Sequence, residues 1–429
     1  MKCLLPIALL PAIAVAATGG ANVVLIVSDD QGYADISCYP HPDEVSTPNI
    51  DRLAAEGARL TNGYASCPVC APTRAGILTG RYQQRFGFYT AADSRAGLPR
   101  SETTLADLLR DAGYATGVFG KWHLGYEPHF RPLKRGFDNF YGFLGHGGHD
   151  YFDLSITDEV RSIYRDGHPI DDSGYLTRNI TREAIAFIER NRDRQFFSYV
   201  PYNAVHNPIQ APEDYIRRFS NPDPVRNTYL AMLAIMDEGI GAILDTLDRF
   251  DLTENTLVIF LSDNGGARGT TAVNGVLRDY KHSVYEGGIR VPFLLRWPAR
   301  IPAGTVSDEP VISIDAFATA LTASGVDLPA NLDLDSRDIL PAITGNLERP
   351  LHDALYWNWI DKESDKGWAI RMGRWKLLVD NGGLELYDLS ADISETRNLA
   401  SAEPAIVDRL HAKYRNWQER IVPRIRRNR

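Results

Sequence analysis

The chain has 429 residues, 44% of them hydrophobic and 24% charged, with a formal net charge of −9. That length and apolar content bury a large core, and the charged fraction excludes a wholly disordered chain. The acidic balance argues against a nucleic-acid binder, whose surface is basic, but leaves anionic small molecules open, because a pocket can be locally positive.

The first residues read as an export signal spanning 1–17. Lys2 supplies the positive start, Leu4 to Val15 the apolar run, and Ala14-Val15-Ala16 a small-x-small cleavage site, while Pro6 and Pro11 disfavour a buried helix. A periplasmic or secreted protein is therefore expected. No later apolar stretch approaches the ~20 residues of a membrane helix, so no membrane association is expected after cleavage. Cleavage removes Cys3 and leaves Cys38, Cys67 and Cys70. In an oxidising compartment an odd count gives at least one cysteine a fate other than an internal disulfide.

Four near-continuous apolar runs follow, each ending in chemistry-bearing residues. Val23 to Val27 leads into Ser28-Asp29-Asp30, and Ala115 to Gly120 into Lys121-Trp122-His123. Phe196 to Val200 leads to Asn203 and His206, and Leu257 to Leu261 into Ser262-Asp263-Asn264. Such runs are buried parallel strands, and helical segments (Leu105 to Asp111, Leu176 to Arg190, Tyr229 to Asp248) separate them. The alternation predicts a large doubly wound, mostly parallel α/β sheet over residues 18–345, with ligands bound beyond the carboxyl ends of its strands. From 346 to 429 the pattern changes to short aromatic-rich runs (Ala354 to Ile360, Trp368 to Met372, Trp375 to Val379, Leu384 to Leu389) and an amphipathic segment, Pro404 to Ile421. This predicts a smaller antiparallel sheet with a helix. The basic tail, Arg424 to Arg429, reads as solvated charge.

Asp29-Asp30 and Asp263-Asn264 are hard oxygen donors of the kind that hold calcium or magnesium, and a carboxylate-rich set with a carbonyl donor favours calcium. One adjacent aspartate pair is an ordinary cap or turn; two pairs on one sheet rim point to a metal. The segment from Cys67 to Arg81 is more specific. Taken bare, Cys67-x-x-Cys70 fits a disulfide, a redox pair or half a zinc site, yet the sequence holds no second Cys-x-x-Cys or suitably spaced His pair.

Cys70-x-Pro72-x-Arg74, followed by Leu78-Thr79-Gly80-Arg81, resembles the signature of the type I sulfatase family of the alkaline-phosphatase-like superfamily. Further resemblances follow in order: Gly120 to Gly125, Asn203 to Pro208, Leu261 to Gly265, Lys281 to Pro292, and Leu386 to Leu389 with Glu395 and Asn398 to Ala400. The resemblance spans nearly the whole mature chain. It implies that Cys70 is oxidised to formylglycine by a formylglycine-generating or sulfatase-maturating enzyme. It also implies that Asp29, Asp30, Asp263, Asn264 and the modified Cys70 hold calcium, with magnesium the lesser alternative. Lys121 and Lys281 would grip the sulfate and Arg74 would orient the nucleophile. Asp263 would accept the attacking hydroxyl's proton and His206 would protonate the leaving alcohol. His123 would assist collapse of the sulfated diol. Thr73 departs from the family's usual Ser or Ala; its extra methyl puts slower maturation in prospect, while the intact Cys-x-Pro-x-Arg core keeps maturation expected.

The Gly145 to Phe152 loop offers His146, His149 and Asp150 as candidates to read sugar hydroxyls, against an ordinary turn. Trp357, Trp359 and Trp368 are candidates for stacking on sugars, with core packing the plainer role. The stretches Arg81 to Gly87 and Gly136 to Gly142 resemble bacterial sulfatases of algal or host polysaccharides. The expected partner is thus a sulfated carbohydrate, a carrageenan-like galactan above others. Two rival readings stay open: a phosphomonoesterase or phosphodiesterase of the same superfamily, and a catalytically silent glycan-binding protein with Cys70 unmodified.

Overall fold

In the computed structural model, which describes residues 20–145, 148–361, 364–380 and 382–425, the four apolar runs form the centre of one sheet. In chain order the first strands are β1 (Asn22–Ser28), β2 (Ala58–Leu60), β3 (Gly63–Tyr64), β4 (Ala115–Lys121), β5 (Asn139–Phe143) and β6 (Ile163–Arg165). They are followed by β7 (His168–Ile170), β8 (Phe196–Pro201), β9 (Thr256–Ser262), β10 (Phe293–Arg296) and β11 (Thr305–Ser307). All except β3 join a ten-stranded sheet in the order β11-β2-β10-β9-β1-β8-β4-β5-β6-β7. The central strands β9, β1, β8, β4 and β5 run parallel, while β10, β6 and β7 pair antiparallel.

β1 shows why this sheet is covered twice. Val24 and Ile26 enter one apolar cluster, and Val23, Leu25 and Val27 enter another on the opposite face. A β-branched run with both faces apolar is stable only between two helical layers. Helices Leu176–Arg190 and Pro224–Arg249 supply one layer; Cys70–Thr79, Leu105–Asp111 and Asp315–Ala323 supply the other. The expected doubly wound sheet is what the chain forms.

β12 (Val311–Ile312) pairs with β3. Beyond it β13 (Leu355–Asp361), β14 (Ser364–Met372), β15 (Trp375–Asp380) and β16 (Leu384–Asp388) make the expected small antiparallel sheet, and helix Pro404–Gln418 packs on it. One apolar cluster joins this sheet to the main body: Tyr64, Val284 and Ile312 with Trp357, Leu377 and Tyr414. Trp357 is fully buried and donates its indole N–H to Ala65 O at 2.8 Å. Trp368 stacks on His411 and Tyr414. Both are packing residues, as their plainer role required. A buried clamp crosses the same junction. Lys376 Nζ lies 2.9 Å from Glu286 and 2.8 Å from Glu395, with all three side chains buried. The export-signal segment and His146 lie outside the described residues.

Candidate active site

Parallel strands place their carboxyl ends on one edge, so Asp29-Asp30, Lys121 and Asp263-Asn264 meet there by topology alone. Helix Cys70–Thr79 supplies the nucleophile from the side. Val69, extended, is its N-cap; Cys70 is the first helical residue, and Gly80 ends the helix in the left-handed conformation at φ 65°. Pro72 falls in the first turn, where a missing N–H leaves no bond unmade. The Thr73 hydroxyl is within bonding distance of Cys67 O (3.0 Å) and Val69 O (3.2 Å), so this departure is absorbed by tying the helix to the loop before it.

The charges are tightly paired. Arg74, fully buried, places Nε 2.9 Å and Nη2 2.7 Å from one Asp263 oxygen. Lys121 Nζ lies 2.6 Å from Asp29 and Lys281 Nζ 2.5 Å from Asp30. Asn264 donates its amide to Asp30 at 2.8 Å. His206 Nε2 stands 3.4 Å from Asp30, with Nδ1 2.8 Å from Asn207 O. Burial alone would raise the Asp29 carboxyl, but Lys121 foremost, with His206, Arg74 and Lys281, holds it well below the usual range. Asp263 goes the other way, pushed up to about 7 by burial and by Asp29's charge against the pull of Arg74. Burial also pushes the Cys70 thiol up despite Lys121 and Lys281, and a protonated thiol is a weak nucleophile.

The donor set fits a hard divalent cation. Asp29, Cys70 and Asp263 each offer one atom within 4.8 Å of the others, which matches ligands about 2.4 Å from a shared centre. Asp29 Oδ1 and Asn264 Oδ1 are buried with no hydrogen-bond partner among the described residues. Leaving such acceptors unpaired costs ~1–3 kcal/mol each unless a cation takes them. Three carboxylates also face three fixed cations here, so a bound divalent ion would leave the pocket positive towards an anionic ester.

Asp30 and His123 hold the left-handed conformation, with φ of 60° and 59°, a strained state that clusters at functional sites. His123 is buried and follows Lys121 by two residues, its backbone N–H bonded to Leu144 O. Gly265 explains why the Asp263-Asn264 segment meets the Glu286-Gly287-Gly288 run. A Cβ at Gly265 would stand 1.9 Å from Gly287 O, so only glycine permits the approach.

Two candidates for reading the sugar carry loop bonds of their own. His149 is buried and bonded at both ring nitrogens, to Asp150 O and Arg161 O. Asp150 accepts the N–H groups of Phe152 and Asp153 and the Gln210 amide. Both side chains are tied into their own loop by these bonds. The Cys-x-x-Cys spacing makes no disulfide: Cys38, Cys67 and Cys70 are free thiols. Sequence reasoning passed over Asn203 as a functional candidate. Its amide oxygen and nitrogen are both buried without a partner among the described residues, and its carbonyl accepts from Tyr151 OH and His206 N–H. Its place two residues after a buried strand was the available signal.

This edge, with a cysteine at a helix start among paired Asp, Lys, Arg and His, defines a hydrolase of anionic esters. The chain belongs to the sulfatase family: residues 21–326 match the Sulfatase model, and 278–420 match that of the N-sulphoglucosamine sulphohydrolase C-terminal region. It is a type I sulfatase of the alkaline-phosphatase-like superfamily, a sulfuric ester hydrolase. It is 34% identical over 383 residues to N-acetylgalactosamine-6-sulfatase of Homo sapiens, covering 79% of this chain and 72% of the relative. It is 31% identical over 473 residues to arylsulfatase J of Mus musculus, covering 96% and 78%. Among solved structures, Ps i-CgsB in complex with k-i-k-neocarrahexaose superposes with a TM-score of 0.88 at 34% identity, covering 94% of each chain. The phosphonate monoester hydrolase of Agrobacterium radiobacter shares the fold, with a TM-score of 0.71 at 21% identity over 93% and 95% of the two chains.

Proposed function

We propose that this enzyme hydrolyses sulfate esters of a sulfated poly- or oligosaccharide, a carrageenan-like galactan before others, with Cys70 converted to formylglycine and calcium at the carboxylate cluster. The observation that carries the reading is the convergence of Cys70, Arg74, Asp263, Asp29 and Lys121 at one buried strand edge. The galactan is supported by the likeness over 94% of the chain to a protein crystallised with a neocarrahexaose.

Calcium would be held by Asp29, Asp30, Asp263, Asn264 and residue 70, and supplies positive charge against a sulfate oxygen. Hydrated formylglycine supplies a hydroxyl nucleophile and a second hydroxyl through which sulfate can be discharged. The chain's own residues do the rest. Lys121 and Lys281 bind sulfate oxygens and offset the charge that grows there. Arg74 fixes Asp263, which takes a proton from the attacking hydroxyl. His206, on the partly open side of the cluster, gives a proton to the leaving alcohol, and His123 serves the discharge step. Residues 1–17 complete the reading as an export signal for a periplasmic or secreted enzyme, matured by a formylglycine-generating or sulfatase-maturating enzyme.

The test is release of sulfate from a panel of sulfated oligosaccharides, run beside 4-nitrophenyl sulfate and 4-nitrophenyl phosphate. The reading expects sulfate esters to be preferred, chelation to abolish turnover, and intact mass to show Cys70 converted in the native host. Preference for the phosphate, full activity in excess chelator, or an unmodified Cys70 would each overturn it.

A further inference from the structure

We infer that His282, backed by Trp359, is the contact that reads the carbohydrate beyond the scissile sulfate. This rests on the sulfated-glycan reading and assigns one determinant of its specificity. His282 directly follows Lys281, which is paired with Asp30. Its backbone N–H donates to Pro68 O at 3.0 Å, two residues before Cys70. It therefore sits between the nucleophile's loop and a sulfate-binding lysine, and it is exposed.

Two observations separate it from an ordinary surface histidine. Its φ of 74° is left-handed, a conformation that glycine adopts freely and β-carbon-bearing residues rarely do. Asp30 and His123, in the chemical centre, share it, as do Thr271 and Asp279 earlier in the same loop region. Beside the chemical centre, a side chain kept where glycine would be more stable is a candidate for use when a second observation supports it. The second observation is its support. The imidazole stacks on Trp359, with ring centroids 5.7 Å apart and planes at 25°. Trp359 comes from β13 of the small sheet, is 4% exposed, and packs with Cys67 and Val69 beside the nucleophile. The small sheet thus supplies the support for a flat ring with a polar edge beside the loop that leads into Cys70. Such a ring can bond sugar oxygens and cover a sugar face.

The experiment compares wild type, His282→Gly and His282→Asn by kcat/KM on a sulfated galactan oligosaccharide and on 4-nitrophenyl sulfate, with Tm recorded for each. Glycine suits the backbone, so Tm should hold or rise. The ratio of oligosaccharide to aryl-ester kcat/KM should fall about tenfold, the worth of one lost hydrogen bond of ~1.4 kcal/mol. Asparagine, which tolerates the left-handed state and keeps an N–H donor, should restore part of the ratio. An unchanged ratio in His282→Gly, whether activity holds or falls on both substrates alike, overturns this assignment while leaving the sulfatase reading intact. If wild type hydrolyses neither ester, the sulfatase reading fails first and this assignment with it.

Discussion

Arg74 shows how one side chain fixes a site. Its guanidinium puts two nitrogens on a single Asp263 oxygen and reaches Lys121 O at 3.4 Å with a third. Lysine has one charged nitrogen and no fork. Arg74→Lys is therefore expected to lower kcat on an aryl sulfate by roughly a hundredfold, and to lower Tm because Asp263 loses part of its buried partner. Asn264→Ala removes a buried carbonyl oxygen that has no partner among the described residues and should raise the divalent-metal concentration needed for half-maximal activity, with metal per protein falling on dialysis. At this scale much of the centre was legible in the sequence, because motif residues at strand ends can meet only on one edge. The loop bonds of His149 and Asp150 were not legible, because sequence shows that a residue is polar, not which partners it takes. Asn203 was passed over because its meaning lies in a buried amide without a partner among the described residues, and His282 because its meaning lies in a backbone angle and a ring supplied from far along the chain.

Among the elements, the junction of helix Glu286–Ile289 with β15 holds a buried cluster of charges. Lys376 lies between two carboxylates, and Glu286 N–H also donates to Glu395 at 2.7 Å. Burial would raise Glu286, but Lys376 and Arg290 outweigh it and lower its carboxyl to about 2. Burial pushes Glu395 up to about 7, against the pull of Lys376. The signs are opposite in consequence. Glu286 adds stability that is present above its unfolded range and lost as pH falls towards 2. Glu395 holds its proton more firmly folded than unfolded, so its share is present at acid pH and lost as pH rises through 7. Glu395→Gln should therefore flatten the fall in Tm between pH 5 and 8. Lys376→Met, which leaves two buried carboxylates without their shared cation, should cost ~3–5 kcal/mol in urea unfolding. The strands were legible from their apolar runs, but this clamp was not, since it pairs residues from three separate segments.

For the whole molecule, the small sheet is no appendage. Tyr64, Val284 and Ile312 of the main body share a core with Trp357, Leu377 and Tyr414, and Trp359 reaches the nucleophile's loop. A chain ending at residue 345 would expose that face, and it is expected to aggregate, while the full chain should unfold in urea as one transition by both tryptophan fluorescence and circular dichroism. The burial of Cys70, 3% exposed at a helix start, has a further consequence in time. On the proposed conversion of Cys70, an oxidising catalyst would need the side chain in hand, so conversion and folding would compete for the same cysteine. Slowing folding should raise the converted fraction, and protein refolded before it meets the maturation enzyme should keep its thiol for good.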